Sequence, residues 1–144
     1  MQTWMSLFYK LPPEPTSKRV YVWRKLKRLG AILLHDAVWI LPSTPRTLEQ
    51  FQWLAAEIAE MGGEAYLTES RFVLTGQEEA LKKQFIEQVD KVYAEILGEL
   101  EREDADLTSL SKRYQQVRTQ NYFQSDLDKK VREALLSEKG GIES

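Results

Sequence analysis

Residues 9–42 read YKLPPEPTSKRVYVWRKLKRLGAILLHDAVWILP, and the order of residue types in this stretch decides the fold. A β-prone end, a proline-rich turn, a basic helix and two short β-prone runs follow one another with no spacer between them. From Lys18 to Leu29 the apolar residues Val22, Leu26 and Leu29 recur at helical spacing, with Val20 and Trp23 beside them. Gly30 then supplies a C-cap that needs no Cβ. Pro15-Thr16-Ser17 is the entry, where a threonine or serine hydroxyl is expected to accept a bond from the first unpaired amides. Ala31–His35 and Ala37–Leu41 form the arms of a hairpin turning at His35-Asp36, and Pro42 closes it.

On the N-terminal side, Thr3–Leu11 is aromatic, apolar and too short for a helix, so it predicts a strand ended by Pro12-Pro13. On the other side, Ser43-Thr44-Pro45 has the cap-then-proline order of a helix start. Leu48, Phe51, Leu54, Ala55, Ile58 and Met61 give that helix an apolar face, and Gly62-Gly63 stops it. Glu64–Leu67 and Arg71–Thr75 predict two short strands or one bent strand. The sum is an α+β fold: a ferredoxin-like βαββαβ sandwich over residues 1–76.

Beyond Gly76 the pattern lengthens. Leu81, Phe85, Val89, Val92, Ile96 and Leu100 repeat at steps of three and four, so a long helix needs a partner face. Glu99, Glu101, Glu103, Asp104 and Asp106 make its end acidic, the wrong sign for a helix C-terminus, which predicts a frayed or exposed tip. A return helix through Leu107, Leu110, Tyr114 and Val117 and a last one through Leu127, Val131 and Leu135 complete a helical extension over residues 77–144, an antiparallel hairpin. Lys139–Ser144 is expected to be a loose tail.

Composition narrows function. The 144 residues contain no cysteine, which removes disulfides, thiolate metal sites and thiol nucleophiles. The first residues, MQTWMSLFYK, lack the basic-then-apolar order of a secretory leader, so a cytoplasmic location is expected, with no membrane partner. The net charge of −2 is nearly balanced, but its distribution is not. Every charged residue from Lys18 to Arg28 is positive: Lys18, Arg19, Arg24, Lys25, Lys27 and Arg28. Tyr21, Arg24, Lys25 and Arg28 stand at i, i+3, i+4 and i+7, and Lys18 extends that stripe by a turn. Charge runs are commonly solvated helix faces. Here the purity of sign, the coherent face and the Tyr21 ring instead favour nucleic-acid phosphates as the partner. Trp23 and Trp39 stand among apolar residues and are expected in the core.

Catalysis has little support in the sequence. The single histidine, His35, adjoins Asp36, but neighbouring residues of a strand point to opposite faces and no serine completes a nucleophilic set. No phosphate-cradling glycine loop, HExxH pattern or calcium loop occurs, so neither metal nor cofactor is expected and the chain reads as a non-enzyme.

The segments Tyr9–Pro15, Val22–Ala31, Asp36–Pro45 and Glu49–Leu67, with the distal RTQNYFQSDL of Arg118–Leu127, resemble the N-terminal domain of the ChrB chromate-resistance regulators over nearly the whole chain. That resemblance implies transcriptional control, with DNA as partner, a homodimer as the assembly and, in many members, a second C-terminal domain that a separate chain could supply. The hairpin segment is also distantly similar to the ferredoxin-like domain shared by PaaX repressors and small CRISPR-associated endonuclease-like subunits. The latter carry an acidic metal ligand at the end of strand one. Here that position reads Phe8-Tyr9-Lys10-Leu11, so the resemblance brings no metal-dependent nuclease with it. Two other readings stay open: an oligomerisation module whose basic helix meets an acidic partner, and an oxyanion sensor using Arg and Lys.

Overall fold

The computed structural model describes residues 2–143, in two compact units, Met1–Thr75 and Gly76–Ser144. The first runs β1 (Trp4–Lys10), α1 (Thr16–Leu29), β2 (Ile32–Leu34), β3 (Val38–Pro42), α2 (Pro45–Glu60) and β4 (Glu64–Ser70). Its four strands make one antiparallel sheet in the order β2-β3-β1-β4. Leu7 sits in register between Trp39 and Leu67, so apolar side chains line up across three strands. Leu7, Val22, Leu26, Leu41, Phe51, Leu54 and Ile58 are buried completely or nearly so. Each such side chain contributes about 1.5–3 kcal/mol through its removal from water.

Local chemistry accounts for most element ends. Gly30 is left-handed at φ 79°, and the cap amides of Gly30 and Ala31 return to the carbonyls of Leu26 and Lys27. His35 and Asp36 both take positive φ in the hairpin turn, where the Ala37 amide donates to the Leu34 carbonyl. At α2 the Thr44 hydroxyl accepts the Thr47 amide at 3.0 Å, and the Thr47 hydroxyl accepts the Thr44 amide at 2.8 Å. This is a reciprocal capping box with threonine in the place usually held by glutamate.

Three expectations change in this unit. No side chain caps α1: Pro15 holds the N-cap position and neither Thr16 nor Ser17 bonds an end amide, because both already lie inside the helix. The choice left open after Gly63 resolves to a single strand, Glu64–Ser70, paired with β1 along its whole length, while 71–74 are outside any strand. Trp23 is not in the core; it is 51% exposed.

The second unit comprises α3 (Thr75–Leu100), α4 (Leu107–Arg118) and α5 (Leu127–Glu143), which share a core of Val89, Tyr93, Ile96, Leu110, Tyr114, Val117, Val131 and Leu135. Tyr93, rather than the neighbouring Val92, holds the central place, with Val92 packed at the margin. Arg113 spans to Glu95 at 3.0 Å and Glu99 at 2.9 Å, which takes up part of the acidic run, whereas 101–104 are exposed beyond the end of α3. The expected tail is helical as far as Glu143; Ser144 lies outside the described residues.

Asp128, in the first turn of α5, joins the three helices. It accepts the Tyr93 hydroxyl at 2.8 Å and the Tyr114 hydroxyl at 3.4 Å. Burial, then the hydrogen bond and charge of Asp128, push the Tyr93 hydroxyl well above its usual value, so it stays a donor. Asp128→Ala is expected to cost about 2 kcal/mol, because it leaves a fully buried hydroxyl without an acceptor. Tyr93→Phe, which removes the buried donor itself and leaves a half-buried carboxylate that water can solvate, should cost less than Asp128→Ala. Urea titration followed by far-ultraviolet circular dichroism measures both, and the reverse ranking would remove Asp128 from the packing of this unit.

Candidate nucleic-acid interface

Helix α1 buries Val22, Leu26 and Leu29, and its charged side chains divide on either side of that stripe. Towards α2 lie Lys18, Tyr21 and Lys25. Lys18 Nζ donates to the Met61 carbonyl at 3.1 Å. The Tyr21 hydroxyl donates to Glu57 Oε2, Lys25 Nζ reaches Glu57 Oε1 at 3.0 Å, and the same ammonium lies 5.3 Å from the centre of the Tyr21 ring. The α2 carboxylate therefore engages two members of the expected stripe at once. Arg19, Arg24, Lys27 and Arg28 remain exposed, the last two in the final turn of α1, where cations complement the helix dipole.

Glu57 went unnoticed in the sequence. The signal for it is a carboxylate on the flank of an apolar helix, one residue before buried Ile58, in a unit whose other helix carries only positive charge. Burial opposes its ionisation, but the hydrogen bonds from Tyr21 and Lys25 prevail and hold its carboxyl below the usual 4.5. On Lys25 the hydrogen bond to Glu57 is the leading cause of an upward shift from 10.5. A lowered carboxylate stabilises fully above its unfolded value, and that contribution disappears as pH falls through the folded value. The raised lysine contributes fully below 10.5 and loses its contribution as pH climbs past its folded value.

The contact is partly solvated, so its worth is about 1 kcal/mol or less. Glu57→Gln should accordingly lower the melting temperature at neutral pH, and the gap to the parent should close as pH drops from about 5 towards 3, across the usual glutamate value. All four tryptophans lie in residues 4–53, so indole fluorescence follows this unit alone. A gap that stays constant with pH would take the carboxylate charge out of the contact.

The other flank of α1 is open. Arg19 and Trp23, one turn apart, border a groove of about 430 Å³ that also takes in Tyr9 and Lys10 from β1 and Leu33 and Asp36 from the hairpin. Trp39 lies at its floor and is buried, as expected. Burial raises the Tyr9 hydroxyl from its usual value, against the opposing hydrogen bond of Trp39 and charge of Arg19. His35 is exposed in the turn, and among the described residues no three His, Asp or Glu side chains are grouped to hold a metal ion. No helix among the described residues is long and apolar enough to cross a membrane.

The profile of the family described as "Protein ChrB, N-terminal" matches residues 19–99, from the first turn of α1 to the end of α3. The chain belongs to the ChrB N-terminal family. A relative named "Protein ChrB", from Cupriavidus metallidurans (strain CH34), is 30% identical over 97 residues, which is 67% of this chain and 29% of the relative. The chain thus matches under a third of the length of that ChrB protein. No solved structure matches the chain. The ChrB match includes all of α1 from Arg19 onwards and the whole of α2 and β4, so Tyr21, Lys25 and Glu57 lie inside it, as do Arg19, Trp23, Leu33 and Asp36 of the open flank, whereas Tyr9 and Lys10 precede it.

Proposed function

We propose that this chain is the DNA-contacting part of a chromate-resistance regulator, non-catalytic and acting in the cytoplasm as a homodimer. The observation that carries this reading is the exposed edge of α1. Arg24, Lys27 and Arg28 are exposed on a helix with no acidic residue, while Glu57 of α2 pairs with Lys25. Side chains of this kind neutralise phosphates and release counter-ions without reading bases. Membership of the ChrB N-terminal family supports the regulatory role. The β1-α1-β2-β3-α2-β4 order, with β1 and β3 central in the sheet, supports a ferredoxin-like description of the first unit.

Titration of a labelled duplex at about 50 and 200 mM salt tests the proposal. Three phosphate contacts predict a slope of log affinity against log salt of roughly −2.7 for each copy bound. Absence of binding at the lower salt, together with self-association that salt weakens, would instead favour an interaction module in which α1 meets the exposed acidic turn at 101–104 of another copy.

A further inference from the structure

The open flank of α1 differs in chemistry from the edge assigned to duplex phosphates. Its centre is an indole: Trp23 is 51% exposed, which leaves a broad aromatic face open at the mouth of the groove. Arg19 stands one helical turn before it, and Lys10 reaches the same groove from the end of β1. Tyr9 and Leu33 supply apolar wall, and Asp36 sets one carboxylate against the two cations. The volume of about 430 Å³ falls in the range of small-ligand sites and admits a flat ring with its attached phosphate.

We propose that this groove binds an unpaired nucleotide of a single-stranded nucleic acid, its base stacked on Trp23 and its backbone phosphate held by Arg19 and Lys10. The inference goes beyond the duplex reading and rests on Trp23, Arg19 and Lys10, none of which that reading uses. Charge argues for a strand over an apolar peptide. The groove is net positive, and α1 continues it with Lys27, one turn beyond Trp23, so successive phosphates meet further cations along the helix. A base needs only a π-face to stack, so an indole between cations selects single strands without selecting sequence. Asp36 adds an acceptor for exocyclic amino groups of bases.

The test uses the full chain carrying Trp53→Phe, which removes the other exposed indole. An unstructured eight-nucleotide strand is titrated at low salt, with quenching of Trp23 emission and anisotropy of a labelled strand as readouts. Quenching is expected, Trp23→Leu should weaken binding about tenfold or more, and Trp23→Phe should restore most of it. Arg19→Gln should reduce the salt slope by about 0.7. If Trp23→Leu fails to fold, the Arg19→Gln slope and the quenching carry the decision. Absence of quenching, binding by Trp23→Leu within twofold of the parent, or an unchanged slope in Arg19→Gln would overturn the proposal. A nucleoside monophosphate competing at the same concentration as the strand would also overturn it, since the groove would then be a small-molecule site. Replacing Arg24 and Arg28 should weaken duplex binding without altering single-strand quenching, so failure of one assignment is distinguishable from failure of the other.

Discussion

Gly63→Ala is expected to destabilise the N-terminal unit by about 3 kcal/mol, more than any other single change to its glycines. A Cβ at Gly63 would lie 2.4 Å from the Lys10 carbonyl oxygen and 2.9 Å from methyl carbons of both Ile58 and Leu11. The carbonyl is backbone and cannot swing aside. Lys10 is paired in register with Glu64, the residue immediately after the glycine, so relieving the clash means parting β1 from β4 at their junction with α2. Gly62 offers the informative contrast. Its φ of +85° strains any other residue by about 1–2 kcal/mol, but a Cβ there would meet only Pro12 Cγ at 3.9 Å. Gly62→Ala should therefore be the milder of the two. For a unit of this size the Gly63 effect corresponds to a fall of roughly 10–20 °C in melting temperature, followed by tryptophan fluorescence. A change within about 0.5 kcal/mol would mean that the close packing of α2 on β1 is not needed for folding.

The double glycine shows how far the sequence could be taken. That Gly62-Gly63 ends α2 follows from residue type, and the same logic located the Gly30 cap, the His35-Asp36 turn and the Thr44-Pro45 helix start. Why two glycines are needed, one for its dihedral and one for space, depends on β1 lying against the end of α2. That approach involves residues more than fifty positions apart, which no local pattern reports.

Trp23, expected in the core, and Tyr93, absent from the apolar face expected of the long helix, depart from the sequence reading for related reasons. On α1, Val22, Leu26 and Leu29 already fill the narrow buried stripe, and Trp23, about 100° further round the helix, falls outside it despite its hydrophobicity. Apolar character alone could not separate a core residue from a platform. On α3 a valine seemed the natural core residue, yet Tyr93 is buried because Asp128 satisfies its hydroxyl from another helix. The basic stripe was legible as charge but not as geometry. Tyr21 and Lys25 share a flank with Lys18 as the spacing requires, and it is Glu57 and the Met61 carbonyl, both on or beside α2, that take up this flank.

That division of α1 decides which side chains belong in the test of DNA binding. Replacing Arg24, Lys27 and Arg28 together with Gln should remove close to three units from the salt slope and abolish measurable duplex binding near physiological salt. Lys25 is left in place because its loss would release Glu57 and mix a folding effect with an electrostatic one. Glutamine is a good helix former, and none of the three side chains fills the core, so no cavity opens. Lys27 and Arg28 do complement the dipole at the end of α1, worth about 0.3–1 kcal/mol each, so a modest fall in melting temperature accompanies the triple variant. Arg24→Gln alone lies away from that last turn and separates the two effects: about one unit of slope should disappear with the melting temperature unchanged. A parent and an Arg24→Gln variant with the same slope would take this residue off the duplex, and the same slope in all three proteins would take the helix edge with it.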